Sequence, residues 1–313
     1  IERVNNIDEL MPLLLTSNQL RGRGLTAQAI SRAVSSGDLI RLRPGFYVDG
    51  EARELNRSQR HLMLVLAANA ALDRPVFTHA SAALIHGLPD YGLPLRTLSM
   101  AAEGSSNRGR SSRVARFRSV PDLSTVATSV DGLRVTNADR TVIDIALSTT
   151  RDTAVVTADA ALKRRIITPE SLAESLRNSA GRRGITQARH SVALVDPKSE
   201  SVAETLSRLV FLDHGIPSPQ TQVQITNEHG IVIARVDFLW PEFGVVGECD
   251  GFGKYFNGRT PLETQEQLAK EKDRDAELMA LGYRVLHWRW RDIMQPDRLS
   301  ARIRKVLYGA ACS

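Results

Sequence analysis

Cysteine is scarce: the 313-residue chain has two, Cys249 and Cys312. Two thiols make neither a disulfide framework nor a zinc-ligand set. No run approaches the roughly 18 apolar residues that a membrane-spanning helix needs. The opening stretch, IERVNNIDEL, lacks the basic and apolar regions of a secretory signal. These absences point to a reduced, cytoplasmic protein without a membrane partner. What is there fits a globular chain. Hydrophobic residues make up 42% and charged residues 24%, the balance of folded proteins, and the length suffices for two or three domains with real cores.

Acid is the charge in short supply. There are 41 Lys+Arg against 35 Asp+Glu, a formal net charge of +6, and the pI is near 9.6. Arginine dominates, and its planar fork suits bidentate contacts to phosphate. Arginine-rich composition also follows from a GC-rich genome, so distribution says more than balance. The segment NRGRSSRVARFRS, residues 107–119, holds Arg108, Arg110, Arg113, Arg116 and Arg118 and no acid. Such a segment attracts polyanions, DNA first among them, and makes binding salt-dependent. The plain alternative is a solvated loop and edge strand.

Residues 1–50 form the first expected domain. IDELMPLLL is a helix candidate. In LTAQAISRAVSSGDL, Thr26 is an N-cap, Ala29, Ile30, Ala33 and Val34 share a face, and Gly37 is a stop. LIRLRPGFYVDG then alternates apolar and basic residues about Pro44-Gly45, the pattern of a hairpin. Short helices followed by a basic hairpin describe a winged helix-turn-helix. Residues 26–36 would enter the major groove, with Arg41 and Arg43 on the wing against phosphate. A helical protein-interaction module of the same shape is the alternative.

The second expected domain, residues 51–195, mixes helices with short strands. His79 and His86 stand seven apart in an alanine-rich helix without nearby acids, which favours packing over catalysis or metal binding. Three stretches in this order, SGDLIRLRPGFYV, THASAALIHGLP and VTNADRTVIDIA, resemble the AbiEi-type antitoxins of type IV toxin–antitoxin systems, over roughly residues 5–190. The resemblance implies an N-terminal winged helix, an α/β domain, repression of the protein's own operon and a toxin as protein partner. VDPKSE, residues 195–200, reads as a linker.

The third expected domain, residues 199–310, has the order helix, three strands, helix, strand, helix. Two of its apolar strands carry acids, RVDFLW with Asp237 and VVGECDG with Glu248 and Asp250. Strand alternation sets Val246, Glu248 and Asp250 on one face and Val245, Gly247 and Cys249 on the other. A short turn at PEFG brings Asp237 alongside. Carboxylates crowded at a strand end repel one another and resist desolvation. A hard cation such as Mg²⁺ relieves that cost, because carboxylates, waters and phosphate oxygens hold it, and it can activate a water against a phosphodiester.

This arrangement resembles the PD-(D/E)XK nuclease fold. GIPSPQTQ, VDFLWPEFGVVGECDG and KDRDAELMALGYRVLHW are similar to very-short-patch-repair-like endonuclease domains. The resemblance implies Asp237 and Glu248 as ligands of Mg²⁺ or Mn²⁺, Glu204 as the acid of the first helix, and products ending in 5′-phosphate and 3′-hydroxyl. Glu204 with Ser201 also spells a capping box, a structural alternative, and Asp250-Gly251 also reads as a turn. One departure stands out: Asp250 occupies the place of the lysine in the usual Glu-x-Lys. Lys272 is the first substitute, with Lys270, Lys254 and Arg274 as others. His287, Trp288 and Trp290 are expected to fill core, the two tryptophans on one face.

The expected fold is therefore α/β (α+β): winged helix, mixed α/β middle and a nuclease-like mixed sheet flanked by helices. The expected function is a DNA-binding protein with a Mg²⁺-dependent endonuclease domain. Its rival is a non-enzymatic repressor or antitoxin with a degenerate nuclease domain. A protein-interaction scaffold is a third reading. A nucleotidyltransferase toxin gene alongside would favour the rival.

Overall fold

The computed structural model describes residues 7–102, 115–120, 122–250 and 261–309, with the side chains of 261, 262 and 264–269 left aside. The chain divides into two compact units, Ile1–Leu194 and Val195–Ser313. Both mix helices with small sheets. No helix among the described residues is long and apolar enough to cross a membrane.

The first unit opens with α1 (Ile7–Leu10), shorter than the apolar run suggests because Pro12 falls in the 3₁₀ turn Met11–Leu13 that follows. Strand β1 (Leu15–Thr16) leads into α2 (Ser17–Gly22), where Thr16 and Gln19 form a reciprocal capping box. Helix α3 (Ala27–Ser36) starts at Thr26, whose side chain accepts from the Ala29 N–H, and ends at Gly37 with φ +87°. Strands β2 (Leu39–Arg43) and β3 (Phe46–Asp49) pair antiparallel through the two-residue loop Pro44-Gly45. Gly45 takes φ +85°, the conformation glycine supplies at the third position of a type II turn. β1 completes a sheet of order β1-β3-β2. Ile30 of α3 packs with Leu15, Leu20, Leu39 and Tyr47, so helix and hairpin share one core.

The rest of this unit is a helical layer around two small ladders. α4 (Arg57–Ala71) and α5 (His79–Ile85) precede β4 (Leu98–Ala101), which pairs in parallel with β5 (Ala115–Arg118). After α6 (Leu123–Val126), β6 (Ala127–Val130) and β7 (Leu133–Thr136) form an antiparallel hairpin. Buried Phe77 bridges Met100 and Val135, joining the ladders. Asn137 caps α7 (Ala138–Ser148); α8 (Arg151–Lys163), α9 (Pro169–Asn178) and α10 (Ile185–Val192) follow. His86 lies just past α5, and its Nε2–H donates to the Thr136 carbonyl at 2.8 Å.

The second unit runs α11 (Val202–Asp213), β8 (Gln220–Thr226), β9 (Val232–Trp240), β10 (Val245–Asp250), α12 (Pro261–Ala280), β11 (Arg284–Arg289), α13 (Trp290–Ile293) and α14 (Pro296–Tyr308). The sheet order is β11-β10-β9-β8, with β8, β9 and β10 antiparallel and β11 parallel to β10. On one sheet face Phe211 of α11 meets Phe238, Trp240 and Trp288 edge to face, with ring centroids 5.3–5.7 Å apart. The other buries Leu278 of α12 with Leu239 and Val246. Trp288 is buried, but Trp290 opens α13 instead of extending the strand, so the two do not share a strand face.

Candidate functional site

Two regions could act on a ligand. The first is the head. Burying Ile30 turns the other side of α3 outward, leaving Gln28, Ser31, Arg32 and Ser35 exposed at spacings of three and four, a single face of a helix. Arg41 is exposed on β2, and the Arg43 guanidinium lies 6.0 Å from the Phe46 ring centroid. Arg108, Arg110 and Arg113 lie outside the described residues. Arg116 on β5 is exposed, whereas Arg118 is half-buried.

The second region lies along β8, β9 and β10. The β8–β9 ladder pairs Thr221 with Phe238 and resumes at Val223 with Val236; between them Gln222 takes φ +54° opposite Asp237. A non-glycine residue in the left-handed region inside a strand is strained, and such strain gathers at functional sites. Gln222 Nε2 donates to Glu204 Oε2 at 2.8 Å and to Asp237 Oδ1 at 3.1 Å, so both amide hydrogens bind carboxylates. The Cys249 N–H donates to Asp237 Oδ2 at 2.8 Å. Glu204 also accepts from the Glu200 N–H and Ser201 Oγ, while Ser201 Oγ accepts from the Glu204 N–H. Capping and clustering therefore coexist at Glu204. Burial, then the charge of Asp237, pushes its carboxyl above the ordinary carboxylate range, with three hydrogen bonds opposing.

β9 and β10 pair as far as Phe238–Gly247; one step further stand Asp237 and Glu248. Glu248 is buried, and its Oε1 lies 3.6 Å from Arg274 Nη2 on α12. On the parallel partner strand His287 stands in register with Glu248, its Nε2 2.8 Å from Asp275 Oδ2. Asp250 lies 4.0 Å from Arg289. Burial pushes the Cys249 thiol up to about 12, with the carboxylates of Asp237, Glu204 and Asp250 adding to the rise against a hydrogen bond from Ser207.

The geometry thus joins Glu204 to Asp237 and sets Glu248 beside a guanidinium. It does not bring Lys272 to the acids. Lys272 is exposed and two residues from Arg274, and positions two apart on a helix face opposite ways. Lys270 is one turn from Arg274 but also exposed, and Lys254 lies outside the described residues. Gln222 and the His287–Asp275 pair were not expected from sequence. A signal for Arg274 exists: Leu278, one turn on, is apolar and packs on the sheet, so Arg274 shares the inward face.

Hard oxygen donors are the right chemistry for Mg²⁺ or Mn²⁺. Among the described residues no group of three or more His, Cys, Asp or Glu side chains is arranged to hold a metal. Mg²⁺ needs only one or two protein carboxylates, waters and phosphate oxygens filling the remaining positions. Asp237 and Glu248 can supply that share; the upward push on Glu204 comes first from burial, and second from the Asp237 charge that a cation would offset.

Residues 14–48, spanning β1 to the wing, match the family model described as transcriptional regulator, AbiEi antitoxin. Two proteins of Mycobacterium tuberculosis, uncharacterized protein MT2308 of strain CDC 1551 and uncharacterized protein Rv2248 of strain H37Rv, are each 30% identical to this chain over 287 residues. The matched stretch covers 90% of this chain and 97% of each relative.

Proposed function

Because the chain belongs to the same family as these two mycobacterial proteins, and its head matches the antitoxin-type regulator model, we propose that it is a DNA-binding regulator carrying a metal-dependent DNA phosphodiesterase in its second unit. The head grips duplex DNA with the exposed face of α3 in the major groove and Arg41 and Arg43 of the wing on phosphate. Coincidence of the matched segment with the helix-and-wing geometry supports this half. A cognate toxin is the protein partner this reading implies.

The observation that carries the catalytic half is the hydrogen-bonded trio Glu204, Gln222 and Asp237, with Glu248 one step past the β9–β10 ladder from Asp237, on an α-β-β-β-α-β order like that of a PD-(D/E)XK core. Asp237 and Glu248 would hold the ion, which supplies positive charge against the scissile phosphate and acidifies a water. The chain's own residues set that site's geometry. Gln222 Nε2 fixes Asp237 Oδ1 against Glu204, and the Cys249 N–H fixes Oδ2. Arg274 sets its guanidinium 3.6 Å from the buried Glu248 carboxylate, an opposite charge beside the proposed ligand.

The non-enzymatic regulator is favoured by one observation: Asp250, where the family pattern has lysine, pairs with Arg289, while Lys272 faces away. Incubating duplex, mismatched and single-stranded DNA with Mg²⁺ or Mn²⁺ decides between the readings. The wild type should nick at least one substrate, and Asp237→Ala or Glu248→Ala should cost about 100-fold or more. Asp250→Lys should lower activity if Asp250 belongs to an adapted site. A wild type that cuts none of these substrates with either ion leaves the regulator alone.

A further inference from the structure

The first unit contains a second charged cluster, apart from the helix-and-wing residues and the acidic strands of the proposed function, with Arg118 drawn from the basic stretch 107–119. Asp144 of α7 is fully buried, and its Oδ1 accepts from Arg140 Nε at 3.0 Å and from Arg182 Nη2 at 2.5 Å. His79, first residue of α5, lies with Nδ1 3.8 Å from Asp144 Oδ2 and 3.0 Å from Thr78 Oγ1. The acid-free surroundings expected for His79 are therefore not found; its neighbouring acid comes from a distant helix. Arg118, last residue of β5, is close enough for its charge to act on His79.

The charges bearing on His79 are one carboxylate, Asp144, and three guanidiniums, Arg118, Arg182 and Arg140. Burying more positive than negative charge is unfavourable unless something anionic compensates it. Arg118 Nε is buried without a hydrogen-bond partner among the described residues, as is Asp144 Oδ2 on the side facing His79. Burial and then Arg116's like charge pull the Arg118 guanidinium below its ordinary range. His79 sits at φ +49°, a strained backbone of the kind functional sites retain. Arg182 and Arg140 keep 28% and 13% of their side-chain surface in solvent.

We propose that His79, Arg118, Arg140 and Arg182, braced by Asp144, form a binding site for a phosphate-class oxyanion. Guanidinium forks match the geometry of phosphate oxygens, and Asp144 fixes two of the forks in place. A doubly charged phosphate balances the two excess positive charges and gives the Arg118 Nε–H an acceptor. The phosphate can belong to a small molecule or to a nucleic-acid backbone; the recognition chemistry is the same.

The test uses the full chain, titrated with inorganic phosphate and, at matched ionic strength, with chloride, following melting temperature and heat of binding. Phosphate should stabilise saturably where chloride does not. Arg118→Gln, which leaves the Asp144 pairs intact, should weaken phosphate binding by about tenfold or more, the value of one charged hydrogen bond. Arg118→Lys should recover part of it. Competition by duplex DNA would identify a backbone phosphate as the source, and competition only by a nucleoside monophosphate a small molecule; both support the site. Equal responses to phosphate and chloride would overturn the proposal whatever the variants' folds, as would undiminished phosphate binding in folded Arg118→Gln.

Discussion

Asp237 and Glu248 were legible as single residues because acids in apolar strands stand out against their neighbours. Gln222 was not, since its importance lies in a positive φ and in two carboxylates brought from α11 and β9. The acid beside His79 was hidden for a related reason: Asp144 reaches it through tertiary structure alone. The burial of His79 has a measurable consequence. Burial outweighs the favourable charge of Asp144, and the pKa falls from 6.5 to about 4. The unfolded chain therefore binds a proton before the folded one does. Stability from this residue is complete above about pH 6.5 and is lost as pH falls towards 4, on the order of 3 kcal/mol in all. Burial lowers His61 and His86 in the same direction. In phosphate-free buffer, the His79 ring should stay neutral by NMR down to about pH 4, and His79→Gln should flatten the acid loss of melting temperature. A ring titrating near 6.5 would contradict this.

Elements were legible where local chemistry decides them. Thr26, Gly37 and Pro44-Gly45 mark the bounds of α3 and the wing, and caps and turns form there. Where tertiary packing or a single breaker decides, sequence pattern misled. Pro12 cut the first helix short, and Trp290 turned from strand to helix. Alternation along β10 held, with Gly247 on the aromatic face. The reason for glycine there is space. An added Cβ would stand 2.6 Å from Trp288 Cη2 and 3.0 Å from Trp240 Cζ3, both in the ring cluster over α11. Gly247→Ala should destabilise the second unit by about 1–3 kcal/mol, the usual cost of overpacking, read as a lower denaturation midpoint. An unchanged midpoint would mean that the rings move aside freely.

At the scale of the whole molecule, the chain joins a regulator-type head to a unit whose acids crowd a sheet, under an overall charge of +6. Composition made a polyanionic partner an expectation, but not which residues would carry the affinity, because the side chains facing outward depend on what Ile30 and its neighbours bury. The central claim is that the protein acts on DNA through this head. The most direct measurement is duplex affinity by fluorescence anisotropy from about 50 to 200 mM salt, for the wild type and for Arg41→Ala/Arg43→Ala. Wild-type affinity should fall steeply with salt. The double variant should bind more weakly, with a slope shallower by about two, one for each phosphate contact removed. Affinity indifferent to salt, or identical in the two proteins, would contradict the account.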